Sequence, residues 1–147
     1  MNVYRSVILT SALLFAPFLH ASEDAAAKLI SEAPADAKVY IISPKDGEKV
    51  GTTFTVKFGL SGMGVAPAGV DREKTGHHHL LIDVDELPDM TKPLPASENI
   101  IHFGGGQTET EVTLPPGKHT LQLVLGNHLH IPHKPLVISK KITVTVE

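Results

Sequence analysis

Residues 53–60 read Thr53-Phe54-Thr55-Val56-Lys57-Phe58-Gly59-Leu60, a strict alternation in which every even position is apolar and every odd position is polar or Gly. Period-two alternation places the even side chains on one face of a strand and leaves the odd ones outside. The same rhythm recurs at Leu121, Leu123 and Leu125 and at Ile142, Val144 and Val146. Counting residues 38–43, 53–60, 77–84, 99–103, 108–114, 118–125 and 138–146, seven short β-rich runs are separated by Gly- and Pro-containing turns. Short strands at this spacing predict an all-β domain, an immunoglobulin-like Greek-key β-sandwich over residues 38–147.

The chain has 147 residues, enough for one domain. Its 13 Lys and Arg are outnumbered by 16 Asp and Glu, and no basic block is present, so the electrostatic footprint of a nucleic-acid binder is missing. With no Cys in the chain, disulfides, thiol nucleophiles and thiolate metal sites are excluded together. The serine-hydrolase elbow, the His-Glu-x-x-His helix and the phosphate loop are also missing from the sequence. The outward carboxylates Asp83, Asp85, Glu109 and Glu111 read as solvated faces, and the expectation is a protein that is not an enzyme.

Residues 1–21 have the form of a secretory signal peptide: Arg5 near the start, an apolar run over 6–19, and a small Ala21 before an acidic stretch. That run of about 14 residues contains Pro17 and falls short of the roughly 20 that a membrane span requires. A mature chain in the periplasm or outside the cell, with no membrane span after cleavage following Ala21, is the expectation. Residues 22–37 are Ala-rich and acidic, bounded by Ser22 as a candidate N-cap and by Pro34, and read as a spacer with a short helix.

In an antiparallel sandwich alternate connections lie at opposite poles. The segments 44–51, 85–98 and 115–117 at one pole contain no His. Segments 61–76, 104–107 and 126–137 at the other are flanked by His77, His78, His79, His102, His128, His130 and His133. Burial of Leu80, Ile82 and Val84 turns His78 inward and His77 and His79 outward. If extended geometry persists past Gly126, His128 and His130 keep the outward parity of the neighbouring strand, close enough for imidazoles of both strands to meet on one ion. His133, after Pro132, adds a fifth donor. Neutral imidazoles without thiols suit Cu(II) or Zn(II). The expected ligands are therefore His77, His79, His128, His130 and His133, with His78 and His102 behind them. His119 reads as a hydrogen-bonded core residue and Met63 as loop packing. Gly104-Gly105-Gly106-Gln107 reads as a tight turn, with an anion-binding nest as the rival.

The segments Gly76-His77-His78-His79-Leu80-Leu81-Ile82-Asp83, Ile101-His102-Phe103-Gly104-Gly105-Gly106-Gln107-Thr108-Glu109 and Leu114-Pro115-Pro116-Gly117-Lys118-His119-Thr120-Leu121-Gln122-Leu123 resemble the secreted bacterial family catalogued as domain of unknown function 4399. That resemblance covers about Val39 to Val146 and implies a small extracytoplasmic domain with no activity to inherit. A looser likeness, through the Gly-x-His-Thr-Leu strand and the His-bearing loop after it, is to periplasmic copper-resistance sandwiches. Their N-terminal histidine brace has no counterpart here, because the expected mature chain starts at Ser22.

The reading that follows is a periplasmic protein that binds, stores or delivers a copper or zinc ion. Its rival is a metal-independent module that contacts another envelope protein through residues 61–76 and the histidine pole. A metal-assisted hydrolase is the third reading.

Overall fold

The computed structural model describes residue 25 and residues 27–147. The expected signal peptide, residues 1–21, lies outside them. Among the described residues nine strands follow in order: β1 (Lys38–Ser43), β2 (Lys49–Val50), β3 (Thr53–Ser61), β4 (Gly64–Val65), β5 (Thr75–Ile82), β6 (Ile100–His102), β7 (Glu109–Thr113), β8 (Gly117–Gly126) and β9 (Ile142–Val146). Seven correspond to the predicted runs, and β2 and β4 are two-residue additions within the first two connections.

The strands make a β-sandwich. One sheet has the order β1-β3-β7, and the other runs β2-β9-β8-β5, with β4 and β6 both attached to β5. Between the sheets lie Val39, Val56 and Phe58 from the first and Leu80, Ile82, Leu121, Leu123, Leu125 and Val144 from the second. These are the positions that alternation assigns to one face, and burying each side chain contributes about 1.5–3 kcal/mol.

The second sheet departs from simple alternation. Thr75 aside, every residue of β5 is buried, so the face expected to meet solvent is covered. A second apolar cluster of Leu81, Leu94, Ile100 and Val124, with Val84, Met90 and Ile138 against it, sits on that outer face. Asn99 closes the base of the covering segment, its Nδ2 donating to the Ile82 carbonyl at 2.8 Å. The segment then spans the sheet, and the Leu94 amide donates to the His130 carbonyl at 2.9 Å. Sequence reasoning assigned residues 85–98 to the far pole; they leave from it but reach back to the histidines. A strand covered on both faces reads as a continuous apolar run, and here three histidines interrupt that run.

Two ends of predicted strands also differ. Asp83 takes a left-handed backbone, φ 54°, which ends β5 before Val84 and turns that residue onto the outer face. Residues 138–141 precede β9, whose start is delayed by Ser139: its amide donates to the Leu123 carbonyl and its Oγ accepts from the Leu123 amide, both at 2.9 Å. At the N-terminal side the stretch expected as a spacer is pinned: the Ala33 amide donates to the Lys134 carbonyl at 2.9 Å, and the Lys134 amide to the Ser31 carbonyl at 3.0 Å.

The outer cluster is testable, because alternation alone marks Leu81 as a surface position. Leu81→Ala is expected to cost about 2–5 kcal/mol in denaturant unfolding, as for a core truncation. Thr55→Ala, on the exposed face of β3, should stay within about 0.5 kcal/mol.

Candidate metal centre

Strand β5 sets two imidazoles on the outer face two residues apart, and its neighbours supply two more. His102 on β6 stands directly across from His79 in the antiparallel register. On the opposite edge of β5, Gly126 pairs with His77 as β8 ends. The chain then makes a turn over residues 127–130 instead of continuing as a strand, and His130 adopts φ 66°. A single side chain organises that turn. Asn127 Oδ1 accepts from the Leu129 and Ile131 amides at 2.9 and 3.1 Å, while its Nδ2 donates to the Leu29 carbonyl at 2.8 Å and to Ser31 Oγ at 3.0 Å.

The result is a group of four, His77, His79, His102 and His130, in which one ligand nitrogen from each lies within 4.8 Å of the others. His77 Nε2 and His130 Nδ1 share a hydrogen bond at 3.1 Å. The remaining nitrogen of His77 and both nitrogens of His79 are buried without a hydrogen-bond partner. Two glycines make room. A Cβ on Gly126 would stand 2.7 Å from His79 Cε1, and one on Gly104 would stand 2.7 Å from His102 Nε2.

Of the other predicted donors, none joins this group. His128 leaves the turn outward, with its Nδ1 3.4 Å from Asp71 Oδ1. His133 is buried, but its ring nitrogens face the Leu125 carbonyl at 3.3 Å and the Thr75 carbonyl at 3.1 Å, so it ties β8 to β5. His78 points between the sheets, its ring centroid 5.1 Å from that of Phe58, and neither nitrogen is hydrogen-bonded. The register past Gly126 explains the difference: continued extension would have carried both His128 and His130 to the group, whereas a turn delivers only His130. His102 carries a legible signal, since its parity opposes Ile101 and Phe103 and it pairs with His79. The role of Gly126 has no signal of that kind, because it acts through His79, a contact distant in sequence.

Electrostatics disfavour the charged forms of His77, His79 and His102. Burial pushes His77 down to about 4, reinforced by the charges that His102 and His130 would carry. Burial pushes His79 to about 3, reinforced by His77, His102 and His130. His102 is held below its ordinary value by desolvation and then by His130. The far pole behaves oppositely. His119 Nδ1 lies 2.6 Å from Asp83 Oδ2 and its Nε2 2.9 Å from the Pro115 carbonyl, and the bond to Asp83 raises its pKa.

The remaining sequence features take bland roles. The Gly105 amide donates to Gln107 Oε1 at 3.0 Å and the Gly106 amide to the Phe103 carbonyl at 3.1 Å, so this segment is a turn that uses its own donors. Met63 packs against the inter-sheet core.

Residues 56–147 match the family described as Domain of unknown function (DUF4399). The chain belongs to that family. No curated protein matches it. Among solved structures it is similar to part of the endo-beta-1,4-mannanase from Thermotoga petrophila, at 16% identity and a TM-score of 0.47, over 79% of this chain and 21% of that one. The chain thus spans about a fifth of the mannanase, and a likeness at that level carries no argument about either fold or activity.

Depressed imidazoles make the metal-free protein acid-sensitive. In the unfolded chain these rings take protons near 6.5, whereas His77 in the native state does so only near 4. The unfolded state therefore binds more protons between those values. Stability is full above about pH 6.5 and is lost as pH falls toward 4, by roughly 3 kcal/mol for His77. Denaturant melts from pH 7.5 to 4 should show this decline, and His77→Phe should flatten it.

Proposed function

We propose that this protein binds a Cu(II) or Zn(II) ion through His77, His79, His102 and His130 and serves to hold or hand on that ion. The observation that carries the reading is the group itself, in which His77, His79, His102 and His130 each offer a ring nitrogen within 4.8 Å of the others while both nitrogens of the buried His79 lack a hydrogen-bond partner. An unmet buried polar group costs about 1–3 kcal/mol, and a neutral imidazole carries one N–H and one lone pair that both require partners. A metal ion satisfies four lone pairs together. The donor chemistry fits: four neutral imidazoles with no thiolate suit Zn(II) or Cu(II). Depressed pKa values serve the same end, because a ligand that resists protonation loses less of its metal affinity in acid.

The N-terminal sequence directs this activity to the periplasm or the exterior in our reading. The same pole exposes Val65 and Val70, at 37% and 45%, on the segment expected to contact an envelope partner in the rival reading. Delivery of an ion would bring the two together, with a recipient docking beside the exposed His102.

Calorimetric titration of the untagged protein should give one Cu(II) or Zn(II) per chain with Kd tighter than about 10 μM, equivalent to roughly 7 kcal/mol. His79→Ala should weaken it by at least about a hundredfold, or roughly 2.7 kcal/mol, whereas His128→Ala should stay within about threefold. An unchanged Kd in His79→Ala would sink the assignment.

A further inference from the structure

The six ring-centroid separations in the histidine group carry information about coordination geometry. They are 4.8 Å for His77–His79, 4.9 Å for His77–His102, 5.0 Å for His77–His130, 5.2 Å for His79–His102, 6.0 Å for His79–His130 and 4.5 Å for His102–His130. With metal–nitrogen bonds of about 2.0–2.1 Å, each ring centroid sits about 3.2 Å from the ion, and a regular tetrahedron puts all six separations near 5.2 Å. A square plane instead requires four near 4.5 Å and two, between opposite rings, near 6.4 Å. The nearest square sets His77 opposite His102 and His79 opposite His130, and these two separations are 4.9 and 6.0 Å. No pairing makes both diagonals long.

We infer that the group is a closed, near-tetrahedral seat for Zn(II), filled by four protein imidazoles; the inference rests on the metal-binding reading above and narrows it. Zn(II) has no d-electron preference and accepts the tetrahedron, whereas Cu(II) favours a tetragonal arrangement that this group departs from. The scaffold resists flattening. His77 and His79 share a strand face, the His79 ring is wedged against Gly126, and Asn127 holds the turn that aims His130. Four protein donors also leave no position for a substrate water, which places the site with holding rather than hydrolysis.

The test uses the full untagged chain and Co(II) as a spectroscopic stand-in for Zn(II). The expected result is a visible absorption band roughly tenfold more intense than that of six-coordinate Co(II), lost on addition of one equivalent of Zn(II). His102→Ala, chosen because His102 is exposed and its removal spares the core, should still bind Co(II), with the band shifted and Kd weakened at least about tenfold as a water takes the fourth position. A weak six-coordinate Co(II) spectrum, together with tight Cu(II) binding and a square-planar electron paramagnetic resonance signature, would overturn the tetrahedral seat and leave the metal reading standing. If Co(II), Zn(II) and Cu(II) all fail to bind to the folded chain, both readings fall.

Discussion

Burial of β5 on both faces is the constraint on which the rest of this molecule depends. Its inner side chains join the inter-sheet core, and its outer ones are roofed by residues 83–99 and by the turn after β8. His77, His78 and His79 are exposed by no more than 1% in consequence. Polar rings at such a place are stable only with partners, and in His77 and His79 the protein leaves nitrogens without them. His78 carries the same deficit inside the core, so what sets His77 and His79 apart is their gathering with His102 and His130 in one small volume by strand pairing and a fixed turn.

The two poles use histidine in contrary ways. At one, desolvation and mutual repulsion keep imidazoles neutral with free lone pairs. At the other, His119 is wedged between the Asp83 carboxylate and the Pro115 carbonyl, two acceptors that favour its charged form, while the second Asp83 oxygen accepts from the Thr120 amide at 2.8 Å. That second arrangement fastens the end of β5 to the start of β8. Both strands that frame the histidine group are thus pinned at their far ends by an interaction that protonation of His119 strengthens.

Most of the fold was legible from residue order. Alternation in β3, β8 and β9 marks the inner face, and the Gly and Pro turns mark where strands end. What period-two reasoning hid was the outer layer, because a strand covered twice shows no alternation and Leu81 looks like an isolated apolar residue on a wet face. At the site, His77, His79 and His130 could be named from strand parity, though His130 arrives by a turn rather than by the extended path that parity assumed. His128 shares that parity and His133 follows the chain-turning Pro132, and the path after Gly126 separates both from His130. His102 takes a secondary place because the 17 residues between β5 and β6 carry no register of their own.

Asn127 gives the N-terminal segment an influence beyond packing. Its side-chain amide grips Leu29 and Ser31 with one end and shapes the turn that aims His130 with the other. Tension applied along residues 29–31 therefore arrives, through one planar amide, three residues from the His130 ring.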